Sequence, residues 1–207
     1  MNPNFSSLAI SIFSTAINDY HNDATPPKVN PGARYRHSKV EKLLYDKCWT
    51  DLEQWHTEDD IRLPEINPQR ALELKRQIDR LNQLRNDIVE SIDEYFRHQF
   101  EGIVPVNYAE MNTESPAWAI DRLCILCIKA FHMNEQLHRN DVDILHITSC
   151  KNKLFVLNEQ ISDLSKSVDK LLADIQNGFK VMKIYRQMKM YNNPDLNPVL
   201  YKAPKAY

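Results

Sequence analysis

Apolar residues in this chain recur at intervals of three and four, the spacing that lines side chains along one face of an α-helix. Phe5, Leu8, Ile12, Phe13, Ala16, Ile17 and Tyr20 set out a first amphipathic helix within residues 1–22. A Pro-rich loop over 23–38 follows, containing Pro26, Pro27, Pro31 and Gly32. The stripe resumes at Val40 and runs through Leu44, Cys48, Leu52 and Trp55. This second helix is expected to stop near Arg62, because Pro64 and Pro68 turn the residues before them away from helical dihedrals. Asn67 then caps a third helix with Pro68 at its first position, and Ala71, Leu74, Ile78, Leu81, Arg85, Ile88, Ile92 and Tyr95 continue the alternation.

Beyond a segment near Gly102 to Tyr108, Ser115 and Pro116 give the same start to a fourth helix. It is apolar nearly all round from Ala117 to Met133, the mark of a buried central element. In the fifth helix Ile147, Cys150, Leu154, Leu157, Ile161, Leu164, Val168, Leu171 and Ile175 keep the pattern without a break. Running from about Asp141 to Asn177, it would be roughly 55 Å long. Gly178 ends or kinks it, and a short last helix through Met182, Tyr185 and Met188 gives way to turn-forming pairs at Asn193-Pro194 and Asn197-Pro198. No internal repeat and no strand pair is expected. The pattern predicts an all-α fold, an antiparallel bundle of five to six long helices with a coiled-coil-like hairpin. It is read as a single domain over 1–207, with the bundle at 39–191 and an irregular tail at 192–207.

Composition agrees: three glycines in 207 residues are too few for the turns of a many-stranded β fold. A formal net charge of -2 lacks the basic footprint of a nucleic-acid binder, so no nucleic-acid partner is expected. Residues 1–27 contain no Lys or Arg, unlike a signal peptide, and no apolar run is long enough to span a bilayer. The expected location is therefore the cytoplasm, with the four cysteines as thiols.

The sharpest anomaly is Arg85, a guanidinium where the seam of the third helix should be apolar. A charge withdrawn from water must be paired, so carboxylates should converge on it from Asp51, Glu58 and Asp59 or from Glu114 and Asp121. That arrangement reads either as a structural ion pair or as an anion-binding arginine in a polar cleft. His56 with Asp59, and Glu90 with Asp93, are i, i+3 pairs that could share a divalent metal between facing helices, or could simply be solvated faces. The start of the fourth helix, with Ser115 and with Arg122 two turns inside, offers backbone N–H groups to an anion, or plain capping with Glu114 alongside. Cys124 and Cys127 lie inside an apolar helix and read as core residues. The histidines at 21, 37, 98, 132, 138 and 146 follow no ligand spacing.

Five stretches carry a resemblance: Lys42-Leu-Leu-Tyr-Asp-Lys-Cys-Trp49, Gln54-Trp-His-Thr-Glu-Asp59, Asn82-Gln-Leu-Arg85, Asn112-Thr-Glu-Ser-Pro-Ala-Trp-Ala-Ile-Asp-Arg-Leu123, and Gln187-Met-Lys-Met-Tyr-Asn192 through Asn197-Pro-Val-Leu-Tyr201. Over about residues 40–202 the chain resembles a bacterial family known as domain of unknown function 4254. The resemblance implies that Gln54, His56, Glu58, Asp59, Asn82, Arg85, Asn112, Glu114, Asp121 and Arg122 matter as a group, as a pocket or as a polar core that fixes helix register.

Two functions are compatible with these features. One is a noncatalytic binding or assembly protein, cofactor-free, that meets a protein partner or copies of itself through its long helices and a tail rich in Met and Tyr at Met188, Met190, Tyr191 and Tyr201. The other is a small metal-dependent hydrolase or transferase acting on a phosphorylated or nucleotide-like substrate. In it Arg85, Asn82, Arg122, Asp121, Glu114 and Asn112 would form the ligand site, while His56, Glu58 and Asp59 would serve as base or metal ligands.

Overall fold

A computed structural model describes residues 4–22, 29–186 and 195–196 and gives an all-α protein. Its elements are α1 (Phe5–Asn22), a short 3-10 helix (Gly32–Tyr35), α2 (Lys39–Asp60), α3 (Pro68–Gln99), β1 (Glu110–Met111), α4 (Pro116–Gln136), α5 (Ile144–Gln176) and β2 (Lys180–Val181). No described helix is long and apolar enough to cross a membrane.

The helix starts follow their caps. The Asn67 side chain accepts the Gln69 N–H at 2.8 Å and Pro68 opens α3, while Ser115 accepts the Trp118 N–H at 3.4 Å ahead of Pro116. α5 begins at Ile144, because the Asp143 carboxylate takes the His146 N–H at 2.7 Å. At 33 residues it is about 50 Å long.

α2 packs most extensively on α3, and α4 on α5. α4 alone touches all four other α-helices, as its all-round apolar sequence requires. Its buried Ala117, Ile120, Leu123, Cys124 and Ile128 join Leu44, Leu52, Val89, Ile92, Phe96 and Leu172 in one core. α1 completes that core: Phe5, Ala9, Ile12, Phe13, Ala16, Ile17 and Tyr20 are all buried against it. Asp169 on α5 holds the start of α1, accepting the Ser6 N–H at 2.9 Å and the Ser6 hydroxyl at 2.6 Å.

The structure departs from the sequence reading in two places. α5 meets α4, α1 and β2 but neither α2 nor α3, so its seam is not buried throughout. Val168, Leu171, Leu172 and Ile175 are buried, whereas Ile147, Leu154, Leu157 and Ile161 are half-buried and Ile144, Leu145, Phe155 and Val156 are exposed. Secondly, the expected last helix is replaced, over the described Met182–Arg186, by non-helical chain, preceded by β2 in parallel pairing with β1. Met188, like Pro26, Pro27, the residues 187–194 and Tyr201, lies outside the described residues.

Gly178 causes the second departure. With φ +75° it stops α5, and its carbonyl accepts the Val106 N–H at 3.0 Å, drawing the 105–111 segment onto the helix end. A Cβ here would lie 2.9 Å from the Val104 carbonyl oxygen, whereas one at Gly102, with φ +85°, would meet nothing within 4 Å. Gly178→Ala is therefore expected to cost about 2–3 kcal/mol and Gly102→Ala about 1 kcal/mol, read from urea unfolding midpoints. Equal costs would mean that the close approach at Val104 carries no energy.

Candidate functional site

Arg85 is withdrawn to 25% side-chain exposure and meets carboxylates of both neighbouring helices. Its Nε and Nη2 donate to the two oxygens of Asp121 on α4 at 3.0 and 2.5 Å, and Nε stands 3.4 Å from Asp51 on α2. Beneath it lies a second cation, Lys47, whose side chain is 0% exposed. Lys47 bonds Asp51 one turn along α2 and reaches Asp121 Oδ1 at 2.8 Å. Two cations and two carboxylates thus close a neutral buried network across three helices.

The four groups are electrostatically unequal. Burial acts to raise the Asp121 carboxyl, but Lys47 and then Arg85 outweigh it and hold it below its ordinary value. At Asp51 burial prevails over Lys47 and the carboxyl is pushed up. Lys47 itself is driven up by Asp51 and Asp121 against its own desolvation, which keeps it charged.

Lys47 was not among the residues that the sequence singled out. Its signal was present: Leu44, Lys47 and Asp51 follow by three and four, so a lysine sits on the apolar stripe of α2 just as Arg85 sits on that of α3.

Gln54, Glu58, Asp59 and Arg62 do not pair with Arg85; with Asp51, Trp55 and Ile125 they border a cavity of about 360 Å³ that Arg85 also lines. Glu58 is held by Arg62 at 3.0 Å, and Asp59 is exposed. Asn82 is half-buried one turn before Arg85. A second cleft of about 600 Å³, lined by Arg85, Asp121, Arg122 and Lys129, shares Arg122 with a cavity at the start of α4.

Asn112, Glu114 and Arg122 gather there around a cavity of about 420 Å³. Glu114 bonds Arg122 at 2.7 Å, and the Asn112 amide donates to the Glu114 carbonyl at 2.9 Å while its oxygen accepts from Lys180 at 3.3 Å. Asp93 reaches across from α3, accepting the Ser115 hydroxyl at 2.5 Å and the Ala117 N–H at 3.1 Å, so the anion at this helix start is the protein's own. Burial pushes the Asp93 carboxyl up despite these two bonds, and Glu90 adds to the rise.

His56 points elsewhere. It stacks on Tyr20 with ring centroids 5.3 Å apart and stands against His21 and His132. Among the described residues, no grouping of three His, Cys, Asp or Glu ligand atoms includes Asp59, Glu90 or Asp93; the grouping present is His21, His56 and His132. The sequence treated these histidines as unrelated, because they come from α1, α2 and α4 and only tertiary packing brings them together. Cys124 and Cys127 are buried free thiols, both pushed up by burial, Cys127 to about 12, as core thiols should be.

No curated protein and no solved structure matches the chain. The family described as "Protein of unknown function (DUF4254)" does match, over residues 41–184. That span takes in Lys47, Asp51, Arg85 and Asp121 as well as the start of α4; α1 and the motifs at 187–201 fall outside it. With more than half of its length matched, including every helix of the buried charge network, the chain belongs to the DUF4254 family.

Proposed function

We propose that the chain is a noncatalytic helical binding protein, acting in the cytoplasm as one domain, that seats an amphipathic helix of a partner protein between Trp55 of α2, α4 and the first half of α5. The observation that carries this is a groove of about 780 Å³ with an apolar floor of Trp55, Met133, Val156 and Leu157. Lys129 and Lys153 are its charged rim, and no carboxylate lines it. Val156 on its floor is 49% exposed, apolar surface that water disfavours. The lysines define the occupant: a helix with an apolar stripe flanked by Asp or Glu. A second copy of this chain closing on the same groove through a two-fold axis would set lysine rim against lysine rim.

The enzyme alternative draws less support. Its anion-binding arginines are already engaged, Arg85 by Asp121 and Arg122 by Glu114. His56 does not line the cleft that Arg85 shares with Glu58 and Asp59.

The test is a fluorescence titration with two labelled helical peptides of identical leucine stripe, one flanked by glutamates and one by lysines. The acidic peptide is expected to bind in the micromolar range, at least tenfold tighter than the basic one. Leu157→Asp is expected to weaken it at least tenfold, since one buried leucine contributes about 1.5–3 kcal/mol. Equal binding of both peptides, or of neither, rules the reading out. A dimer in light scattering that Leu157→Asp dissociates would give the groove to a second copy, and a melting point raised by magnesium nucleotide would favour the enzyme.

A further inference from the structure

Three histidines, His21, His56 and His132, meet between α1, α2 and α4. The His21 Nδ1–H donates to the Ile17 carbonyl at 2.7 Å, and the His132 Nδ1–H donates to the Glu135 carboxylate at 2.7 Å. An oxygen on Nδ1 fixes the tautomer and directs the Nε2 lone pair the other way, the arrangement that orients metal-binding imidazoles. His132 Nε2 is buried without a hydrogen-bond partner. His56 Nε2–H donates to His21 Nε2 at 3.3 Å, a bond that an ion would replace, and one ligand atom from each of the three rings falls within 4.8 Å of the others. Nitrogens on a tetrahedral ion at about 2.0–2.1 Å are separated by about 3.3–3.4 Å. Two of the three are therefore already at that separation, and the third lies within 4.8 Å of both.

Aromatic rings hold the set in place. Trp55 stacks on His132 at 5.0 Å, Tyr20 on His56 at 5.3 Å, and Phe131 lies 4.4 Å from His21. We infer that His21, His56 and His132 bind one divalent transition-metal ion of the zinc type through their Nε2 atoms, tying α1 to α2 and α4. All-imidazole ligation selects this class over magnesium or calcium, which take oxygen ligands. His56 carries its proton on Nδ1 in the bound state. The fourth position goes to water, which enters along the groove that His132 lines.

The test uses the full chain without a polyhistidine tag, stripped with chelator and titrated with Co²⁺ and Zn²⁺. One equivalent of Co²⁺ is expected to give the visible bands of a tetrahedral nitrogen site without the near-ultraviolet band of a thiolate. Zn²⁺ at a hundredfold excess over Kd is expected to raise Tm by about 5–10 °C. His56→Gln is expected to abolish the cobalt spectrum. The exposed Glu135→Gln, which leaves the three ligands and the core intact, is expected to weaken binding by about 10–100-fold. His138→Gln, an exposed histidine outside the cluster, is expected to change nothing. Failure of the wild-type chain to bind one equivalent, a thiolate band, or equal loss in His138→Gln would overturn the assignment whether or not His56→Gln folds.

Discussion

Asp121→Ala is expected to lower the unfolding free energy by about 3–5 kcal/mol, the cost of leaving buried charge uncompensated. Asp121 serves both cations, Arg85 through two bonds and Lys47 through Oδ1. Without it Asp51 alone faces two positive charges, one on a side chain with no exposure at all. Lys47→Met with Asp51→Leu, by contrast, removes one cation and one anion and leaves Arg85 paired with Asp121. That double variant is expected to be more stable than Lys47→Met alone, in which the network keeps two carboxylates and one cation. Denaturant unfolding of the wild-type chain, the double variant and both of its single variants checks the order, and additive losses would mean that the network is not a unit. Acid supplies a second check. Because the folded value of Asp121 lies below its ordinary 3.8, its contribution is fully present above that value and is lost as pH falls through the lower folded one. The gap in stability between the wild-type chain and Asp121→Asn is therefore expected to be constant near neutrality and to shrink only below about pH 4.

Asp93→Ala is expected to cost about 2–4 kcal/mol, the second largest effect. The substitution strips the start of α4 of the carboxylate that receives the Ser115 hydroxyl and the Ala117 N–H, and charged hydrogen bonds are worth about 1.5–3 kcal/mol each. It also leaves a buried N–H of the most connected helix without its acceptor. Asp93→Asn retains an oxygen for Ala117 and is expected to lose about half as much. Urea midpoints give the ranking, and a cost no larger than that of an ordinary surface substitution would show that the first turn of α4 caps itself. The acid behaviour has the opposite sign from that of Asp121. Burial raises Asp93, so its contribution declines as pH rises from 3.8 through the raised folded value.

How much of this was legible in the sequence depends on whether the cause is local. Asn67 with Pro68, and Ser115 with Pro116, mark their helix starts because capping is settled within four residues. Arg85 could be recognised as an anomaly because its neighbours on the seam are apolar, and Asp121 and Asp51 were already among its expected partners. The periodicity of α5, however, says that a face is apolar and not which element covers it, so the half-burial of Leu154, Leu157 and Ile161 could not be read from it. The pairing of Glu110–Met111 with Lys180–Val181 is two residues long, too short to leave an alternating pattern. The histidine cluster was the least legible. Its three members sit on helices far apart in the chain, each at a position that by itself looks like an ordinary half-buried ring.

The placement of α1 has a consequence for biosynthesis. This helix is made before the other four, yet Asp169, the carboxylate that fixes its start, follows more than a hundred residues later. At about 5–20 residues per second the nascent chain carries Phe5, Phe13 and Ile17 for on the order of ten seconds before all their native neighbours exist. Docking on α2 can shelter part of that surface early. The remainder stays open to water until α4 and α5 have been made, and slowing translation between α2 and α5 is expected to lengthen that exposure.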